Sequence, residues 1–300
     1  MPAAPFPVAQ RDRRLTLFAW AVTALISILP EILFNEFGQT IPNWLTTAKM
    51  GLLAVLALIS LYWPRLAGLR AFFIAMLAFF AFSEARLRID FTLPWLQKLF
   101  GSTAFDARMQ AEQTGKLALS LAMILILLQL GFKRREFFLT RGAWRTPITP
   151  VRWLGFPKAD AWPVFGLQWG FYIALGLAAA QYFFLRPDGV QLRAALSMLP
   201  SILFYAALNA FNEEMTFRAP MLATLEPTGG SLHAWWMSAY FFGIAHYFGT
   251  PGGLAGAVLS IFMGWMLGKA MLETRGLLWA WWMHFLSDVA IFSFLAMSLN

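Results

Sequence analysis

The chain has 300 residues, of which 59% are hydrophobic and 13% charged, with a net charge of +8. A soluble domain is about 45–50% apolar and about 25% charged, so this composition excludes an ordinary soluble globule and indicates a polytopic membrane protein. There is no cysteine, which excludes disulfides, thiolate nucleophiles and cysteine-ligated metals; the excess of cations suits cytoplasmic loops, and no nucleic-acid partner is expected.

A bilayer span needs about 20 mostly apolar residues in a helix. In chain order such stretches fall at 15–35, 44–63, 68–84, 116–132, 163–185, 195–222, 232–248, 254–272 and 277–298. The expected fold is therefore all-α, with about nine transmembrane helices. "RDRR" precedes the first stretch, but no small-residue cleavage motif follows, so an uncleaved span is expected. The segment "FTLPWLQKLF" between the third and fourth spans reads as an interfacial helix.

Cations in short loops set orientation. Arg11, Arg13 and Arg14 precede span one, and Arg65 and Arg70 lie between spans two and three. Lys133, Arg134, Arg135, Arg141, Arg145, Arg152 and Lys158 follow span four, and Lys269 and Arg275 flank the turn between the last two spans. With nine spans all four groups share one side, which predicts a cytoplasmic N-terminus. The chain then divides into accessory N-terminal helices at 1–132, a basic cytoplasmic loop at 133–162 and a functional core at 163–300. No internal repeat is evident, which gives an inverted-repeat transporter little support.

The core carries polar residues inside apolar helices, where an ionisable group is costly and is paired or functional. Residues four apart share a helix face. Glu214 and Arg218 are so spaced and form an expected ion pair, which leaves Glu213, turned about 100° away, free for other work. Phe242 can brace His246, and Asp288 can accept a hydrogen bond from His284 and fix its tautomer. Asn209 and Asn212 add amides near Glu213. His233, beside a turn, reads as interfacial. Glu31, Lys49 and Lys269 read as structural rather than catalytic, and the two lysines can snorkel to an interface. Gly243, Gly264 and Gly268 would let helices approach closely.

Measured from the "PTGG" turn, Glu213 and His246 both lie about 24–26 Å along their helices and can meet across a hairpin. His284 is only about 13 Å past the "ETRG" turn, and so joins them only if helices tilt or that turn enters the membrane. A carboxylate and a histidine can activate water, and a second histidine with a partner can stabilise an oxyanion. Glu213, His246 and His284 are also a two-histidine, one-glutamate set of the kind that holds hydrolytic zinc. HExxH and Gly-rich phosphate loops are absent.

The three segments "EEMTFR" (213–218), "FGIAH" (242–246) and "HFLSD" (284–288) resemble the ordered motifs EExxxR, FxxxH and HxxxN/D of the CPBP family of CAAX-processing and bacteriocin-processing intramembrane endopeptidases. The resemblance covers about residues 195–298. It implies an intramembrane endopeptidase in which Glu213 and His246 activate the water. Glu214 and Arg218 would support the site, and His284 and Asp288 would bind the substrate carbonyl or the oxyanion. Many members carry asparagine where this chain has Asp288. An ionised aspartate opposes an oxyanion, so it is expected to be protonated or to orient His284. The catalytic set is thus Glu213, His246, His284 and Asp288, supported by Glu214, Arg218, Phe242 and Asn209.

The family is described both as glutamate-dependent and as metal-dependent. Glutamate-activated water needs no cofactor; zinc on Glu213, His246 and His284 is the alternative. The expected partners are a membrane-associated protein or peptide substrate and the lipid bilayer. A catalytically silent scaffold and a proton-coupled transporter use the same polar residues and compete with the protease reading.

Overall fold

The computed structural model describes residues 12–101, 103–249 and 252–299, so Arg11 and the middle of "GTPGG" lie outside the described residues. Helix α1 (Arg13–Ile26) opens on Asp12, whose carboxylate accepts from the backbone N–H groups of Arg14 and Leu15. Helix α2 (Leu29–Glu36) follows at a 53° bend, with Pro30 in its first turn. Then come α3 (Leu45–Tyr62), a 3₁₀ turn (Pro64–Leu69), α4 (Arg70–Arg86), α5 (Pro94–Phe100) and α6 (Ala104–Gln129). After an irregular segment come α7 (Trp162–Leu185), α8 (Gly189–Ser197) and α9 (Leu199–Glu213). A π-helical turn (Glu214–Arg218), α10 (Ala219–Ile244), a 3₁₀ turn (Ala245–Phe248), α11 (Gly253–Thr274) and α12 (Leu278–Leu299) complete the chain.

Among the described residues six helices are long and apolar enough to cross a membrane, or up to eight if each bent pair is one span, against the nine expected. α10 is assigned as one helix, but Gly230 within it has φ 76° and ψ 163°. That conformation is essentially glycine-only, and it reverses the chain. The consequence is visible in packing: the Arg218 guanidinium lies 4.6 Å from the Phe242 ring centre. In a continuous helix those residues would be about 36 Å apart. The "PTGG" turn expected from sequence is therefore a fold-back between two antiparallel arms.

The sequence places the fourth span too late. α6 starts at Ala104, capped by the Thr103 hydroxyl, so Lys116 stands mid-helix rather than at its mouth. "FTLPWLQKLF" does contain a helix, α5. Lys49 and Lys269 do not snorkel. Lys49 is buried, with its ammonium 2.6 Å from Glu31 and 2.5 Å from the Ser27 carbonyl. Lys269 is buried against Glu273 and donates to the Thr149 carbonyl at 3.0 Å. In each case a carboxylate within reach removes the need to find water.

α10 and α11 approach closely at Gly243, where a Cβ would collide with the Ile261 backbone. Gly264 and Gly268 meet Ala239 and Trp235 across the same interface, as the sequence predicts. The long loop is not a loose tether. The N–H of Ala143 donates to Thr274 at 2.7 Å, and that of Leu277 donates to Thr140 at 2.8 Å. The loop thus caps the α11–α12 turn. Large apolar side chains face outward on the peripheral helix α7, among them Phe171, Leu175 and Phe183, as a lipid-facing surface requires.

Candidate active site

The site grows from the π-helical turn. Pro220, in the first turn of α10, has no N–H, and its ring crowds the carbonyl four residues back. The turn before it widens: the N–H of Ala219 reaches back to the carbonyl of Glu214. Such π turns are frequent at functional sites. This one holds Glu214 and Arg218, both fully buried.

Glu214 and Arg218 form the predicted ion pair. The same Glu214 oxygen, Oε1, also accepts from Nδ1 of His284 at 2.8 Å. This corrects the expectation for His284: Glu214, not Asp288, sets its tautomer. Asp288 Oδ2 lies 3.7 Å from Nε2 of His284, beyond hydrogen-bond range. It accepts instead from the Asn209 amide at 2.9 Å. With Nδ1–H committed, Nε2 is the nitrogen left to face Glu213 Oε2, 3.5 Å away.

Phe242 joins the two histidines. Its ring centre is 4.8 Å from that of His246 and 5.9 Å from that of His284, the latter edge to face. Nδ1 of His246 donates to the Phe242 carbonyl at 3.0 Å, which leaves Nε2 as the unprotonated, basic nitrogen of the neutral ring. The bracing predicted from the four-residue spacing is present. His246 is half-buried at the edge of the cluster, whereas His284 is buried.

The depth conflict over His284 has a structural answer. Arg275 and Glu226 form a two-pronged ion pair, at 2.6 and 2.7 Å. Counted from it, Glu214 lies about 18 Å along one helix and His284 about 14 Å along the other. Two long side chains absorb the difference, and the capping loop keeps the α11–α12 turn from being the outermost layer.

Glu213 is not free. Its Oε1 lies 3.0 Å from Nζ of Lys116 on α6, a residue the sequence reading left out. Lys116 also donates to Asn209 Oδ1 at 2.8 Å and lies 3.1 Å from Glu112. Gln113 donates to the same Asn209 oxygen at 3.0 Å. Asn212 does not touch Glu213. Its amide donates to the Gln113 carbonyl at 3.1 Å, and it accepts from Ser120. The available signal was a polar stripe at Glu112, Lys116 and Ser120, four residues apart on one face of an apolar helix. A cavity of about 90 Å³ opens beside Glu213 between α4, α6 and the π turn, walled by Phe79, Arg86, Lys116 and Phe217.

Zinc on Glu213, His246 and His284 does not fit this arrangement. Among the described residues no group of three or more histidine or acidic side chains is placed to hold a metal ion. Lys116 already lies against one oxygen of Glu213. His233 accepts from Nε1 of Trp20 at 3.2 Å, well outside the cluster.

The geometry brings four motif side chains, Glu213, Glu214, Arg218 and His284, into one buried knot, with Phe242 leading to His246 at its rim. Residues 195–290, about a third of the chain, match the family described as Type II CAAX prenyl endopeptidase Rce1-like. No curated protein and no solved structure matches the chain. Through residues 195–290, this helical polytopic membrane protein is similar to the Rce1-like family of Type II CAAX prenyl endopeptidases, the family type that its three motifs resemble.

Proposed function

We propose that the protein is an intramembrane endopeptidase that cleaves a membrane-associated protein or peptide with a water activated by Glu213 and His246. The observation that carries the reading is the Glu213–Glu214–His284 cluster built from two motifs, with Phe242 of the third packed between the rings of His284 and His246. The water attacks the scissile carbonyl carbon and gives its proton to Glu213 or to Nε2 of His246. The C–N bond then breaks as that proton passes to the leaving amine. In its imidazolium form His284 keeps Nδ1–H on Glu214, which Arg218 holds in place, and donates Nε2–H to the forming oxyanion.

Asp288 orients the site through Asn209 rather than donating to the oxyanion. The placement of Lys116 favours glutamate-activated water over zinc. The basic groups at 11–14, at Arg65 and Arg70, in the 133–162 loop and at Lys269 and Arg275 are assigned to the cytoplasmic face, with the N-terminus cytoplasmic.

The test compares membrane and secreted peptide fragments from cells carrying the wild type, Glu213→Ala and His246→Ala, with insertion checked by detergent extraction. Both variants are expected to lose at least about 10²-fold in processing. Fragments at wild-type levels in both variants would sink the reading.

A further inference from the structure

The cluster holds more negative charge than its motifs can balance. Glu213, Glu214 and Asp288 all sit within it, and Arg218 pairs with Glu214 alone. A buried carboxylate without a cation is strongly destabilising. The second cation comes from outside the matched region. Lys116, on α6, lies 3.0 Å from Glu213 Oε1 and 2.8 Å from Asn209 Oδ1. Asn209 turns its amide to Asp288 Oδ2 at 2.9 Å. The chain Lys116–Asn209–Asp288 therefore passes the lysine's polarising effect to the third carboxylate while its ammonium touches the first.

The groups around Glu213 are few. α6 supplies Lys116 and Glu112, α12 supplies His284 and Asp288, and His246 acts from the 3₁₀ turn. Of these, Lys116 alone is a permanent cation. Its contact fixes Oε1 and so leaves Oε2 turned to His284. Gln113 and Ser120, from the same α6 face, fix Asn209 and Asn212.

We infer that Lys116 is a positioning residue of the active site, holding Glu213 in register and balancing Asp288 through Asn209, so that α6 completes the site. The inference rests on the endopeptidase reading above and adds a residue to it. Three ammonium hydrogens meet three oxygens, so the lysine is fully engaged. It acts on the reaction through Glu213 and need not touch substrate.

The experiment uses the full chain in detergent and a peptide that the wild type cleaves. Lys116→Met is expected to lower kcat by about 10²-fold with KM within about twofold, because a misplaced base costs rate rather than binding. Lys116→Arg keeps the charge and is expected to retain kcat within about tenfold of wild type. The discriminating variant is Lys116→Met combined with Asp288→Asn. Removing the carboxylate that the lysine balances is expected to raise kcat above that of Lys116→Met alone, which a purely structural lysine would not do. Should Lys116→Met fail to accumulate, Lys116→Gln carries the same comparison. Wild-type kcat in the lysine variant, or a double variant no more active than the single one, overturns the inference while leaving the endopeptidase reading intact. Undiminished cleavage by Glu213→Ala overturns the reading itself, and the inference with it.

Discussion

A carboxylate deep in an apolar helix persists only beside a compensating group, and the fully buried Glu214 has two: Arg218 and His284. Arg218→Leu removes the permanent cation and strands Glu214. The expected cost is about 3–5 kcal/mol, read as a lowered unfolding temperature in detergent. Little change would mean that His284 alone compensates the charge. The Glu214–Arg218 pair was legible from a four-residue spacing on one helix. Lys116 was not, because it meets Glu213 from 97 positions away. No local pattern encodes that distance. The same limit explains Lys49: the sequence shows a cation in a greasy helix, but not that Glu31, 18 residues earlier in the chain, folds back to pair with it.

At the scale of elements, helix existence followed from apolar length, while helix relations followed from single residues. Gly243 lets α11 approach the second arm of α10, which carries Phe242 and leads directly to His246. Gly243→Val drives a branched side chain into the Ile261 backbone. The second arm of α10 and α11 must part, and Phe242 then no longer bridges the two histidine rings. The expected result is loss of most processing activity with the protein still inserted, measured as fragment yield per extracted protein. Wild-type yield would show that the close approach does not position His246. The π turn was not legible: "EEMTFRAP" displays the proline, but whether a helix kinks, ends or widens before Pro220 depends on what packs around it. Here the widening lets Glu213 and Glu214 serve different partners, Lys116 and the Arg218–His284 pair.

At the scale of the molecule, the basic segments meet at one end. The Thr228 hydroxyl donates to the Gly68 carbonyl at 2.6 Å, Glu226 pairs with Arg275, and the 140–143 segment bonds the α11–α12 turn. Contacts thus gather the cation-bearing loops that the sequence reading assigned to a common side. The proposed division into an accessory half and a core at 163–300 is not a division in space. Gln113, Lys116 and Ser120 of α6 enter the site. A fragment of residues 163–300 expressed alone is therefore expected to lack processing activity and to be degraded. Co-expression with residues 1–162 is expected to restore both, measured by immunoblot and fragment yield. Full activity of the fragment alone would show that α6 is dispensable.

The sequence by itself determined the helical membrane architecture, the three motifs and two of the local pairs within them, Glu214–Arg218 and Phe242–His246, because hydropathy and four-residue spacing are properties of short stretches. The tertiary structure alone decided which charges neutralise which. It placed Lys116 on Glu213, Glu214 on His284 and Asn209 on Asp288. Burial in an apolar bundle makes each such pairing energetically decisive, and the folding of the whole chain brings the partners within reach.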